Sequence, residues 1–289
     1  MVVLVTGANG QLGQSLQFIA PNYPEIDFVF CSSADLDISD LKNCQKVFSK
    51  INPDFCINAA AYTAVDKAES EPEKAQLINV IGAKNIAEIC KAHNTILLHV
   101  STDFVFDGTS TALSVTKGYT EDDIPNPTGV YGQTKLDGEK AIQATFDNYF
   151  IVRTSWVYSQ FGNNFMKTML RLGSERDSIS VVNDQIGTPT NAVDLAQVLV
   201  KIIIYNTQHP TFGTFGIYNF SNEGQCSWYD FAKKIFEINK IKIDLQSIPT
   251  TSFPTLAKRP KYSVLDKAKI KDAFGIEIKN WEESLKKEG

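Results

Sequence analysis

Tyr131 and Lys135 stand four residues apart in Val130-Tyr-Gly-Gln-Thr-Lys135, a spacing that puts both side chains on one face of a helix. A lysine cation beside a tyrosine favours the phenolate, lowering the proton affinity from its reference near ~10 toward working pH. A tyrosine tuned in this way is a general acid or base. The pair alone is common by chance. It gains weight from Ser101-Thr102-Asp103 at the end of a predicted strand and from a glycine-rich turn far upstream.

That turn is Gly7-Ala-Asn-Gly-Gln-Leu-Gly13, entered from a short apolar run and left through an amphipathic segment. Gly7 permits the tight turn, Gly10 lets backbone approach a pyrophosphate, and Gly13 lets the helix pack closely on the strand, its N-terminus facing the anion. The spacing departs from GxGxxG, and glycines in a strand-to-helix turn can be purely structural; strand, turn and helix in register favour dinucleotide binding. The second strand ends in Phe30-Cys31-Ser32-Ser33, without the acid that would bind an adenosine ribose, so Ser32 tilts the cofactor toward NADPH, with NADH still open. Asp37 and Ile38 are placed to flank the adenine, although Asp37 can equally just start the next helix. Asn58-Ala59-Ala60-Ala61 keeps the third strand end free of bulk, where a cofactor would lie.

Elements that could position these groups follow a βαβ rhythm. Strands are predicted at 2–6, 27–31, 54–58, 95–101 and 149–153, with helices at 11–20, 39–50, 73–93 and 129–147, the pattern of a doubly wound parallel sheet of Rossmann type. After residue 153 the rhythm changes to helix 163–173, a short strand near 179–182, helix 191–205, strand 216–220 and helix 228–238, the last capped by Ser227. Residues 1–153, with segments returning from the second half, form the expected dinucleotide domain. Residues 154–289 form mainly a smaller C-terminal lobe for substrate, interleaved with the sheet. The loop 107–128 is long and non-periodic, as functional loops are.

A chain of 289 residues, 43% hydrophobic and 21% charged, buries a large core. A net charge of −5 argues against a broad nucleic-acid surface. The N-terminal apolar run is too short for a signal peptide or membrane span. Five scattered cysteines without a CxxC pair fit a reducing cytoplasm. His93, His99 and His209 show no metal-ligand spacing and read as surface or satisfied core residues.

Taken together, GxxGQLG at 7–13, NAAAYTAVDKAE at 58–69, STDFVFDG at 101–108, VYGQTKLDGE at 130–139, RTSWVY at 153–158, NNF at 163–165, NDQIGTPT at 183–190 and AKRPKYSVLD at 257–266 resemble the extended short-chain dehydrogenase/reductase superfamily and, within it, the dTDP-4-dehydrorhamnose reductases. The resemblance implies Thr102, Tyr131 and Lys135 as a catalytic trio, with Gly10, Gln11, Leu12, Asp37, Ile38, Ala59, Ala60 and Ala61 on the cofactor. Thr102, Asp103 and Trp156 would touch a nucleotide-sugar, and Arg259 is a candidate for its diphosphate. It implies reduction of a 4-keto sugar by NAD(P)H, with Tyr131 as proton donor, Thr102 polarising the carbonyl and Lys135 also holding the nicotinamide ribose. Some members are dimers held through magnesium near the C-terminus. No matching acidic cluster is read here, so no metal site is assigned, and Mg2+ and a homodimer stay open. Dehydratases and epimerases share the fold, but Phe104 replaces the glutamate that elimination needs. A non-catalytic NADP-binding regulatory subunit would be expected to lose the trio.

Overall fold

The computed structural model describes residues 1–109, 118–210 and 213–286. Most of the long 107–128 loop therefore lies outside the described residues at 110–117.

Five short apolar runs become the strands β1 (Val2–Thr6), β2 (Asp27–Cys31), β3 (Phe55–Asn58), β4 (Ile96–Thr102) and β5 (Tyr149–Thr154). All pair in parallel in the order β2-β1-β3-β4-β5, and a late strand, Gly216–Asn219, adds to β5. The order reverses beside β1, and open sheets of this kind bind ligands outside such a switch point.

Alternate residues bury opposite faces, as the two-residue period of a strand requires. Val3, Val5, Ile57, Leu98 and Val152 pack against α1 (Gln11–Ile19) and the helix Ala192–Gln208. Leu4, Cys56, Leu97 and Ile151 pack with the helices Leu41–Ile51, Ala83–His93 and Val130–Gln143. Both faces are covered, as the doubly wound reading requires. Asp40, not Asp37, caps the Leu41–Ile51 helix. The expected helix 73–93 begins at Pro72 and widens into a π-helical stretch at Leu77–Gly82, where Gly82 lies against the side chain of Ile38. All five cysteines are free and buried.

The smaller lobe is built from parallel Ser178–Val182 and Asp244–Ile248, the two-residue pairs Val157–Tyr158 with Thr190–Asn191 and Ile186–Gly187 with Cys226–Ser227, and the helices Phe165–Glu175 and Trp228–Ile238. Its own core centres on Tyr158, Met166, Phe231, Ile235 and Trp281. Ser227 caps the Trp228 helix reciprocally with Asp230. Among the described residues no helix is long and apolar enough to cross a membrane.

Candidate active site

The carboxyl ends of β1, β3, β4 and β5 carry a polar row on the face covered by the Val130–Gln143 helix. Thr6 pairs in register with Asn58, and Asn58 with His99; two residues past His99 comes Ser101, and across from it Arg153. Buried polar groups need partners, and these find one another and the helix, with Arg153 Nη1 left unpartnered. Ser101 and Arg153 both bond Glu139, the arginine through Nη2–Oε2 at 2.7 Å and Nε–Oε1 at 3.0 Å. Arg153 also lies over the Phe106 ring at 5.3 Å.

Glu139, Lys135 and Tyr131 recur at four-residue intervals, so one face of the helix delivers all three. The helix starts at Gly129, which offers no capping side chain; Glu69 substitutes, accepting the Val130 N–H at 2.9 Å. Lys135 is buried, donating to the Val100 carbonyl at 2.7 Å and lying 3.3 Å from His99 Nε2. Desolvation brings its pKa down to about 8, against the opposing pull of Glu139. His99 is held neutral by burial and by the neighbouring amine.

Burial pushes the Tyr131 pKa up to about 12, with the Asp103 charge raising it further and the neighbouring Thr102 side chain opposing. The sequence expectation that Lys135 draws this tyrosine toward neutral pH is therefore corrected for the free protein. Loss of water from the phenolate sets the shift, and the Lys135 ammonium is turned to Val100 and His99. Asp103 is fully buried; desolvation lifts it to about 7 despite hydrogen bonds from Ser263 and Thr102. Its Oδ2 has no partner. Phe104, which stands where a dehydratase would carry a glutamate, packs edge-on against Tyr131 with ring centres 5.5 Å apart.

At the other end of the site, Gly7 adopts φ +67°, and a Cβ there would sit 2.8 Å from the Ala60 nitrogen. A Cβ on Gly13 would collide with the Gly7 carbonyl oxygen, so the helix seats on the turn only with glycine at that position. Leu12 is buried in the core behind it. Helix α1 starts at Gly10 with no side-chain cap, leaving its first N–H groups and positive dipole end for an anion. Gln11 faces the lobe: its Oε1 accepts from Asn164 at 2.9 Å and Ser159 at 3.2 Å. Ala59, Ala60 and Ala61 lie half-buried at the β3 end.

Other expected positions divide. Ser32 does not stand alone, because Asp35 Oδ2 accepts from its hydroxyl at 2.7 Å and its N–H at 2.9 Å. A carboxylate thus reaches the β2 end from three residues further on, which a search confined to the strand end misses. Asp37 turns its carboxylate to Ser39, and Ile38 is buried. Trp156, at φ +46°, stacks on Trp228 with centroids 3.6 Å apart and closes against Gly187. Beside it a cavity of about 470 Å³ is lined by Phe165, Met169, Val182, Trp228, Phe253 and Arg259 among others. Arg259 is paired with Asp66 through Nη2–Oδ2 at 2.6 Å and Nη1–Oδ1 at 3.1 Å. Asp66, Glu69, Glu139, Arg153 and Trp228 carry no signal of their own outside the quoted motifs. His99 has one: a polar residue inside the apolar run of a central strand. Among the described residues no three His, Cys, Asp or Glu side chains converge as a metal site.

Proteins similar to this chain include several dTDP-4-dehydrorhamnose reductases. The RmlD substrate binding domain family matches residues 1–288. A dTDP-4-dehydrorhamnose reductase of Aggregatibacter actinomycetemcomitans is 42% identical, the alignment covering 98% of this chain and 97% of that protein. A solved dTDP-4-dehydrorhamnose reductase of Clostridium acetobutylicum superposes with TM-score 0.92 at 41% identity, covering 100% of this chain and 98% of the other. Another from Bacillus anthracis, solved in complex with NADP, gives TM-score 0.92 and 41% identity over 99% and 98% of the two chains. With its glycine turn, its Thr102–Tyr131–Lys135 cluster and this likeness over its whole length, the chain belongs to the RmlD family of dTDP-4-dehydrorhamnose reductases.

Proposed function

We propose that this protein reduces dTDP-4-dehydro-β-L-rhamnose to dTDP-β-L-rhamnose in dTDP-rhamnose biosynthesis. The observation that carries the reading is Tyr131 and Thr102 brought within mutual influence at the carboxyl edge of the sheet, with the buried Lys135 one helical turn behind. A reduced nicotinamide dinucleotide, when bound, supplies the hydride. The uncapped start of α1 and the bare edge from Gly7 to Ala61 fit its diphosphate and its rings.

The chain's own residues do the rest. A carbonyl gaining electron density at carbon needs a proton at oxygen, and Tyr131, protonated up to about pH 12, holds one there. Thr102 orients that hydroxyl and offers a second contact to the same oxygen. Lys135 presents a positive charge that steadies the developing alkoxide and a donor for the nicotinamide ribose. Asp103 and Trp156 border the sugar. Residues 1–153, with the returning Ala192–Gln208 and Gly216–Asn219 elements, serve the cofactor, and the remainder of 154–289 serves the nucleotide-sugar.

NADPH is our preferred cofactor: Ser32 and Ser33 offer hydroxyls to a 2′-phosphate, and the Bacillus anthracis relative was solved with NADP. Asp35 opposes this choice, so NADH should also be used. No step above needs Mg2+. The five buried free thiols accord with a cytoplasmic setting. The test is product analysis after incubation with dTDP-4-dehydro-L-rhamnose and each reduced cofactor. Appearance of dTDP-L-rhamnose with matched cofactor oxidation is the expected result; cofactor binding without oxidation would overturn the reading in favour of a regulatory subunit.

A further inference from the structure

A line of fully buried polar groups runs beneath the sheet edge from the glycine turn to the lysine. The Ala60 N–H donates to Thr6 Oγ1 at 3.2 Å, and that hydroxyl donates to Asn58 Oδ1 at 2.7 Å. With Oδ1 so engaged, the Asn58 amide turns its Nδ2 toward His99 Nδ1 at 3.0 Å. On the far side of the ring, His99 Nε2 faces Lys135 Nζ at 3.3 Å. Thr6, Asn58 and His99 are each no more than 1% exposed, out of contact with bulk water.

Counting hydrogens shows a conflict in this line. A neutral imidazole has one N–H and one acceptor nitrogen. If Nδ1 accepts from Asn58, Nε2 carries the hydrogen and points it at Lys135, which as an ammonium has only hydrogens to offer in return. The contact becomes favourable in two ways. Either the amine is neutral and accepts from Nε2–H, or the amine is charged, Nε2 accepts, and the hydrogen moves to Nδ1 while the Asn58 amide turns over. The lysine's charge and the histidine's tautomer are thus two readings of one state.

We propose that His99 is a positioning residue for the reaction: clamped by Asn58, its ring fixes Lys135 against the β4 edge, and its tautomer switches as that amine gains or loses its proton. The proposal rests on the reading of Lys135 as a member of the active site. Around the amine, the His99 ring of β4 lies at 3.3 Å and the Val100 carbonyl at 2.7 Å, and Glu139, one turn along its own helix and paired with Arg153 of β5, is the charge that acts on it. Glu69 is held at the helix start, bonded to Val130. Glu139 is committed to Arg153 and Ser101, and Asp103 to Thr102 and Ser263. His99 is therefore the neighbour whose hydrogen can answer a change at Nζ.

Two measurements test this. In the intact protein labelled with 15N-histidine, only three rings report. The His99 signals should show Nδ1–H at pH 6 and Nε2–H at pH 9.5, the change following the loss of the Lys135 proton; one tautomer throughout would overturn the proposal. This readout does not use turnover, so it stands or falls separately from the assigned reaction. In activity, His99→Leu removes an acceptor for the ammonium, which favours its neutral form. The basic limb of kcat/KM should move down by about one pH unit and the cofactor KM should rise roughly tenfold, while His99→Gln, which keeps an acceptor, restores both. A folded His99→Leu that only melts earlier, with limb and KM unchanged, would show a structural residue and overturn the proposal.

Discussion

Burial keeps Tyr131 a protonated phenol up to about pH 12, and for a reduction that is the useful form, because the group must deliver a proton rather than take one. The sign of the pH dependence follows. Raising pH through about 8 discharges Lys135 while Tyr131 keeps its proton to about 12, so reduction should be fastest below about 8 and fall above it, and Lys135→Met should abolish that limb. Tyr131→Phe should lower kcat roughly 10²–10⁴-fold, the span of a positioned acid, with cofactor affinity unchanged in a fluorescence titration; near-normal turnover would remove Tyr131 from the proton-donor role. At the β2 end, Asp35→Asn removes the carboxylate that leans on Ser32. The ratio of kcat/KM for NADPH over NADH should rise severalfold, and an unchanged ratio would place selectivity elsewhere. The trio is legible in the sequence because helical spacing and strand ends are local properties. The direction of the Tyr131 shift and the Asp35 contact are not, since both depend on how much water the fold excludes and where a loop turns back.

Among elements, the Val130–Gln143 helix matters most, since it carries Tyr131, Lys135 and Glu139 yet starts without a cap of its own. Glu69, from another segment, accepts its Val130 N–H and places a negative charge at the positive end of the dipole. Glu69→Ala should cost about 1 kcal/mol of stability, the usual value of a cap, and should loosen Tyr131 one residue further in. A thermal melt would show the first effect and a severalfold fall in kcat the second; full activity would mean that packing alone sets the helix. The sequence predicts the strands of the main sheet within a residue or so because each is a short apolar run, buried in β1, β3, β4 and β5 and half-buried at the β2 edge. It does not predict Asp244–Ile248, which is largely exposed and partly polar, and the π-helical stretch at Leu77–Gly82 has the same apolar spacing as an ordinary helix.

For the whole molecule, the Arg259–Asp66 pair ties the late segment of the chain to the short helix Val65–Ala68, beside the cavity faced by Trp228. If Arg259 releases Asp66 to hold the diphosphate, Arg259→Ala should raise KM for the nucleotide-sugar roughly 10- to 100-fold, as a charge-assisted bond of ~1.5–3 kcal/mol implies, while Asp66→Ala leaves it unchanged or lowers it. Equal losses in both variants would make the pair a tether and nothing more. The sequence places Arg259 near substrate but not its partner, which lies 193 residues away. A different consequence follows from the Gly216–Asn219 strand, which closes the β5 edge only after the first elements of the lobe have intervened in the chain. During synthesis β5 emerges long before that strand, and at ~5–20 residues per second the open edge persists for roughly 3–12 s. An unpaired strand edge is a template for other chains. The nascent protein is therefore most exposed to aggregation, and most dependent on chaperones, while the ribosome is still translating the smaller lobe.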